Sequence, residues 1–265
     1  MAYTPSRYVK SKILKMFENH HYFNVQPDPR FLEAIDRGRE RFNARNRSEF
    51  HRFFPKDISR YMLVKEHFPQ VLKGSVADIG SREFEKISSA LGVSVTGIDK
   101  NNTTLASFDW DKEPLPFSNK QFDTVLCLDT LEHITDFHTA FADLLRIAKS
   151  NVVISLPNCW RRTPKDILTA SSTRESYGLP VEKPFDRHRW YMSTEDIEDF
   201  MFYNAKKNGF VVSGLIYHTP TPLWRHWLLA LSRFISNRYY KNLVVTTLFI
   251  VLSRDALNRE EQNVV

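Results

Sequence analysis

Between Gly74 and Pro157 short apolar runs alternate with stretches of helix length, and a stop signal marks most changeovers. Gly74-Ser-Val-Ala-Asp-Ile-Gly80 reads as a buried strand ending at a glycine, and Arg82 to Leu91 as a helix stopped by Gly92. Val93 to Asp99 is a second strand, Leu105 to Trp110 a short third, and Phe122 to Asp129 a fourth. A helix over Ile134–Ala148 carries Phe137, Phe141, Leu144, Leu145 and Ala148 on one face, and Asn151–Pro157 is a fifth strand. Near-continuous apolar strands separated by helices are what βαβ units require, because each strand is covered on both faces. Right-handed crossovers then leave few topologies. The expected architecture is an α/β, Rossmann-like, mainly parallel sheet of seven strands with helices on both faces.

Outside this stretch the rhythm differs. Two or three helices are expected in residues 1–73, where Phe31, Leu32, Ile35, Phe42, Phe50 and Phe53 recur at helical spacing beside Arg37, Arg39, Arg41, Arg45 and Arg47. A further short helix is expected around Ile58–Lys65. Residues 158–192 form a long polar segment punctuated by Pro and Gly, of a length usually reserved for function. Ser193 starts a helix that Gly209 stops, and Phe210–His218 and Leu243–Leu252 read as closing strands. Between them, 222–235 reads as an aromatic and basic helix. The expected organisation is a basic helical extension, 1–73, then one catalytic domain, 74–265, with acceptor-side insertions at about 158–192 and 220–241.

Charge sharpens that division. The net charge is +6, yet residues 1–73 carry 15 Lys/Arg against 8 Asp/Glu while the remainder is nearly balanced, 22 against 23. The basic segment suits a phosphate-bearing or anionic surface, or is a solvated helix face. Two cysteines, Cys127 and Cys159, exclude a disulfide framework, and Cys127 lies in an apolar run where a reduced, buried thiol is expected. The first residues lack the apolar region of a secretory signal, and no run reaches the ~18 apolar residues of a membrane span. A cytoplasmic location is expected, with a peripheral membrane contact through Trp224, Trp227, Leu228, Leu231, Phe234 and Ile235 as the alternative to ordinary packing.

A nucleoside cofactor on such a sheet lies across the carboxyl ends of the strands. The first strand-to-helix turn, Asp78-Ile-Gly-Ser-Arg82, has the low bulk that lets backbone approach a ligand. Asp99, 21 residues after Asp78 and at the end of the second strand, is placed to accept hydrogen bonds from ribose hydroxyls. Asp109 closes an apolar stretch, with Trp110 and Asp111 directly after it. The Cys and His residues lack metal-ligand spacing, and no metal is expected. Phosphate-loop and nucleophile-elbow motifs are missing too.

At these residues the chain resembles the class I S-adenosylmethionine-dependent methyltransferases. Val76-Ala-Asp-Ile-Gly-Ser81 is similar to their first motif, and Thr96-Gly-Ile-Asp99 to their ribose-binding acid. Phe108 to Phe117 with Phe122-Asp-Thr-Val125 is similar to their third- and fourth-strand region. Asp129-Thr-Leu-Glu-His-Ile134 resembles the turn of the subgroup that contains the ubiquinone-biosynthesis O-methyltransferases, and Ser155-Leu-Pro-Asn158 the end of their fifth strand. The resemblance spans about residues 74–157. It implies S-adenosyl-L-methionine as cofactor, bound by Asp78, Gly80, Ser81, Asp99, Lys100, Asp109, Trp110, Leu128 and Asp129. For the adenine the resemblance sets Asp109 against Asp111, with Asp109 favoured because it closes the apolar stretch, and Trp110 either stacks on the ring or packs in the core. The chain departs from the pattern in keeping only Gly80 where two or three glycines are usual. That departure weighs against NAD or FAD, whose pyrophosphate needs the missing close-approach glycine most.

His133 and His188 are the candidate catalytic residues, as general base or acceptor-positioning group. A backbone-bonded histidine and a salt-bridged loop are the plain structural alternatives. The expected acceptor is a small molecule bearing a hydroxyl: a glycan, nucleotide-sugar or lipid-linked intermediate first, then a quinone precursor, with RNA third because no RNA-binding module is evident. A catalytically inactive scaffold with this fold is the reading from a different class.

Overall fold

The computed structural model describes residues 20–25, 46–48, 59–81, 84–99, 108–168, 177, 187–219 and 236–255. Their strands are β1 (His20–Val25), β2 (Asn46–Ser48), β3 (Val76–Ile79), β4 (Val95–Ile98), β5 (Phe122–Leu128), β6 (Ala148–Pro157), β7 (Phe210–Thr219) and β8 (Thr247–Arg254). The helices are α1 (Ser59–His67), α2 (Phe84–Leu91), α3 (Phe137–Ile147), α4 (Thr163–Leu168), α5 (Thr194–Lys207) and α6 (Asn237–Val244).

All eight strands join one sheet in the order β2-β1-β7-β8-β6-β5-β3-β4. β4, β3, β5 and β6 pair in parallel, whereas β8 runs antiparallel to both β6 and β7. Five of the six strands from β3 onward therefore point the same way, the mainly parallel Rossmann-like core that the alternation implies. β1 and β2 lengthen the β7 edge in antiparallel fashion.

Period-2 alternation divides the sheet between two cores. Ala77, Ile79, Val125, Cys127, Val152, Ile154, Leu215, Tyr217 and Ile250 face α3, α5 and α6. Val76, Leu126, Leu128, Val153, Ile216, Phe249 and Val251 face α1 and α2. α3 is amphipathic as expected, with Asp136 as its N-cap, accepting from the Thr139 amide at 3.1 Å. α5 opens on a capping box in which Ser193 and Asp196 satisfy each other's backbone.

Four expectations are corrected. The third strand is not formed where it can be seen: Phe108 and Asp109 are irregular and Trp110–Lys112 turn, while 105–107 lie outside the described residues. The segment expected to be filled by helices contains β1 and β2, and the positions of the helices expected before residue 59 lie outside the described residues. The apolar run Leu243–Leu252 splits between the end of α6 and β8, because both bury their residues and so share one pattern. Finally, the sheet has eight strands rather than seven. α1 supplies Tyr61, Leu63 and Val64 to the same core as β3 and β5, so packing is continuous across residue 73. The 222–235 segment lies outside the described residues, among which no helix is long and apolar enough to cross a membrane.

Candidate functional site

β3 has β4 on one side and β5 on the other, so the chain winds in opposite directions from it. This is a topological switch point, and ligands of open α/β sheets bind outside the carboxyl ends of the strands there. The turn after β3, the end of β4 and the end of β5 meet at that crevice.

Gly80 follows β3 with φ +96°, and its amide donates to Ile98 O at 2.8 Å, tying the turn to β4. A side chain would be strained at that φ, and its Cβ would lie 2.3 Å from Thr130 Oγ1. Thr130 packs here because its hydroxyl bonds the carbonyls of Ile79 and Leu128, both at 3.2 Å. The single glycine of the first motif thus holds the β3 and β5 ends together. Leu128, buried in the α1-side core, meets this junction through its backbone.

Asp78 is fully buried. Its Oδ2 accepts from the Tyr61 hydroxyl of α1 at 2.9 Å, and Ser81 adds a second side-chain bond. Oδ1 is buried with no hydrogen-bond partner. Burial outweighs both bonds and pushes the Asp78 carboxyl up to about 7. The same burial, with Asp78 alongside, pushes the Tyr61 hydroxyl far above its ordinary range. Asp99 sits half-buried just past β4, and Lys100 lies outside the described residues.

Asp129 closes β5 with φ +49°, a conformation uncommon for a residue with a side chain. Ser155 of β6 donates its hydroxyl to Oδ1, and Arg60 of α1 pairs with Oδ2 at 2.8 Å. Three elements hold this carboxylate over the crevice. Asp109 is engaged by Lys112 at 2.8 Å and by the Asp111 amide, within an exposed turn. Asp111 bonds the Thr135 amide at 2.7 Å and fastens that turn to the loop after β5. Trp110 packs against the main core, its Nε1 buried without a hydrogen-bond partner, and lines a groove of about 890 Å³ that reaches to Arg146 of α3.

Beyond Asp129 a single turn of 3-10 helix, Leu131–His133, carries the second cluster. The Arg189 amide donates to Glu132 O at 2.6 Å and fastens the 187–192 segment to this turn. His133 and His188 meet edge to face, ring centroids 4.7 Å apart. His188 Nδ1 bonds the Tyr177 hydroxyl at 2.7 Å, which in turn contacts Cys159 Sγ at 2.6 Å. Glu132, 1% exposed, lies against both imidazoles, with one potential ligand atom from each of the three residues within 4.8 Å of the others. Desolvation is the main cause that raises both the Tyr177 hydroxyl and the Cys159 thiol. The two histidines singled out from sequence, 55 positions apart, are neighbours in space.

Arg60, Tyr61, Glu132, Ser155, Cys159 and Tyr177 are the site residues that the sequence reading missed. Glu132 stood inside a recognised motif, and its burial was the missing information. Ser155 likewise stood inside a recognised motif, while Arg60, Tyr61, Cys159 and Tyr177 come from distant segments without a local signal. Cys127 is a buried free thiol, as its apolar neighbours imply.

A crevice at the strand ends, with an orphaned acceptor beneath it at Asp78 and an acid beyond β4, suits a nucleoside cofactor that brings its own hydrogen-bond donors. The class so defined is the Rossmann-like enzymes whose cofactor lies across the sheet. Residues 37–156 match the family described as Methyltransferase domain, and the chain accordingly carries a class I S-adenosylmethionine-dependent methyltransferase domain, with S-adenosyl-L-methionine as cofactor.

Solved structures similar to the chain include a putative S-adenosylmethionine-dependent methyltransferase from Listeria monocytogenes (14% identity, 76% of this chain and 98% of that one, TM-score 0.46). A SAM-dependent methyltransferase from Archaeoglobus fulgidus is similar at 14% identity over 86% of this chain and 100% of that one, TM-score 0.46. Phosphoethanolamine N-methyltransferase 2 of Haemonchus contortus, in complex with S-adenosyl-L-methionine, is similar at 18% identity over 74% of this chain and 52% of that one, TM-score 0.45. No curated protein matches the chain.

Proposed function

We propose that this enzyme methylates a hydroxyl oxygen of a small-molecule acceptor, of the glycan, nucleotide-sugar or lipid-linked intermediate class. The observation that carries the reading is the pairing of His133 with His188 one turn beyond Asp129. A hydroxyl is a weak nucleophile until it loses its proton, so an enzyme acting on one gains from imidazoles at the acceptor end. The excess of positive charge in residues 1–73 supports a phosphate-bearing acceptor, and Arg60 brings a cation from that segment to the crevice.

Asp99 would accept from the ribose hydroxyls. Asp78 and the Gly80–Ser81 turn would face the methionine part, and Asp109, Trp110, Leu128 and Asp129 would enclose the base and the remaining wall, with Lys100 beside Asp99. The bound cofactor supplies a methyl group already activated on sulfonium. The His133–His188 pair would take the proton from the acceptor hydroxyl, whose oxygen would displace the sulfur at the methyl carbon that the cofactor supplies. Catalysis then rests mainly on orientation.

Calorimetric titration with S-adenosylhomocysteine is the first test. Replacing Asp99 with Ala should weaken binding by roughly 10- to 100-fold, the loss of charge-assisted bonds worth about 1.5–3 kcal/mol. With binding in hand, methyl transfer is assayed on a panel of nucleotide-sugars, phosphorylated glycolipids, quinone precursors and transfer RNA. Product from either of the first two supports the acceptor class. Product from quinone precursors or RNA alone overturns it.

A further inference from the structure

We propose that Glu132, His133 and His188 form a binding site for one divalent transition-metal ion at the acceptor end of the crevice. The three side chains include two different ligand types and come from two segments, and their potential ligand atoms lie within 4.8 Å of one another. Two imidazoles and one carboxylate suit zinc, cobalt, iron or manganese and leave positions open for a substrate oxygen. Calcium and magnesium prefer all-oxygen shells.

Three features beyond proximity favour an ion here. First, the backbone is already set: the Arg189 amide to Glu132 carbonyl bond joins the two ligand-bearing segments, so side-chain rotation alone can draw the ligands in. Zinc–nitrogen bonds of about 2.1 Å require only that contraction. Second, His188 is oriented by a partner on its other nitrogen. In the tautomer whose Nδ1–H donates to the Tyr177 oxygen, Nε2 is the nitrogen that would ligate a metal. Metal-ligating histidines are habitually held this way. Third, a carboxylate that is 1% exposed gains from a cation at its side, and the ion would supply one.

The ion's use in catalysis rests on the methylation reading. With the ion bound, the two imidazoles are its ligands instead of the base, and the ion takes over that role: an acceptor hydroxyl bound to it becomes more acidic and its oxygen is fixed in place. The proton leaves to solvent or an adjacent acceptor group, and the oxygen–carbon bond forms as the carbon–sulfur bond breaks. Binding of the ion itself does not depend on that chemistry.

The test uses the full chain, stripped with chelator and titrated with Co²⁺ or Zn²⁺ by calorimetry, with the visible bands of Co²⁺ reporting geometry. S-adenosylhomocysteine titration of every variant verifies the fold and the cofactor site. One ion per chain is expected. Glu132→Gln and His188→Gln should abolish the Co²⁺ bands, and Tyr177→Phe should weaken the ion by about 10- to 100-fold. S-adenosylhomocysteine affinity should stay within about twofold of wild type throughout. If folded wild type binds S-adenosylhomocysteine but no ion, or if His188→Gln leaves ion binding unchanged, the metal site is wrong while the methylation reading stands. Ion binding that is lost in the variants, with no S-adenosylhomocysteine binding in wild type, retains the metal site and removes the methylation reading.

Discussion

Asp78 carries the most charge-sensitive chemistry of any single residue at the cofactor end. Its carboxyl rises from the ordinary 3.8 to about 7 because burial penalises the anion more than Tyr61 and Ser81 stabilise it. A raised acid binds its proton more tightly in the folded protein than in the unfolded one. Its contribution to stability is therefore complete below about pH 4 and is lost as pH rises through about 7. In Asp78→Asn that dependence disappears. Urea unfolding of both proteins from pH 4 to 8 should show wild type losing ground to the variant up to about pH 7 and no further above it. A difference that stays flat across this range would refute a proton on Asp78. The same carboxylate would face the cofactor's cationic groups, so S-adenosylhomocysteine should bind wild type more tightly as pH rises from 6 to 8, with the pH dependence removed in Asp78→Asn. Asp78 and Asp99 stand out in the sequence because each lies within one residue of the end of a strand in one βαβ unit. Tyr61 could not be, since the residue that sets Asp78's proton affinity lies 17 positions earlier, on a helix assigned to another part of the chain.

At the scale of elements, the β3–α2–β4 unit depends on a contact that its motif conceals. Gly97 of β4 lies beneath Phe84 of α2, where an added Cβ would sit 1.6 Å from the ring. The requirement is for space rather than backbone freedom, and it sets how closely the helix approaches the sheet before Asp99. Gly97→Ala should destabilise by about 1–3 kcal/mol, the usual range for overpacking a filled core. It should also weaken S-adenosylhomocysteine binding by displacing the β4 end. Pairing it with Phe84→Leu should restore much of both, measurable by thermal unfolding and calorimetry. The elements from β3 to β6 were legible because strand and helix periods alternate there with glycine punctuation. The same reasoning misassigned Leu243–Val244, because a buried helix end running into a buried strand has no change of polarity to mark the boundary. It missed β1 and β2 since strands of six and three residues carry too few positions to outvote the helical spacing around them.

Across the whole molecule, the far half of the sheet is fastened to its covering helices by a buried ionic cluster. Glu198 of α5 accepts from Lys241 of α6 at 2.6 and 2.9 Å and from the Tyr217 hydroxyl of β7 at 2.8 Å. Lys241 also lies over the Tyr217 ring, 5.1 Å from its centroid. Lys241 is 2% exposed and Glu198 1%, so neither charge can turn to water if the other is removed. Nothing in the sequence pairs positions 198 and 241, which belong to different helices on either side of β7. The pairing of His133 with His188 was hidden for the same reason, since 55 positions separate them. Lys241→Met should cost about 3–5 kcal/mol by leaving a buried carboxylate uncompensated. For a chain of this size that lowers the melting temperature by roughly 6–20 °C. Adding Glu198→Leu removes the orphaned charge, so the double variant should recover well over half of the loss, a coupling that two independent contacts would not show. Equal losses that simply add would mean that Lys241 acts through packing of its aliphatic stem. Because the cluster lies on the β7–α6 side and not at the β3–β5 crevice, S-adenosylhomocysteine affinity measured below the melting range should be unaltered in both variants.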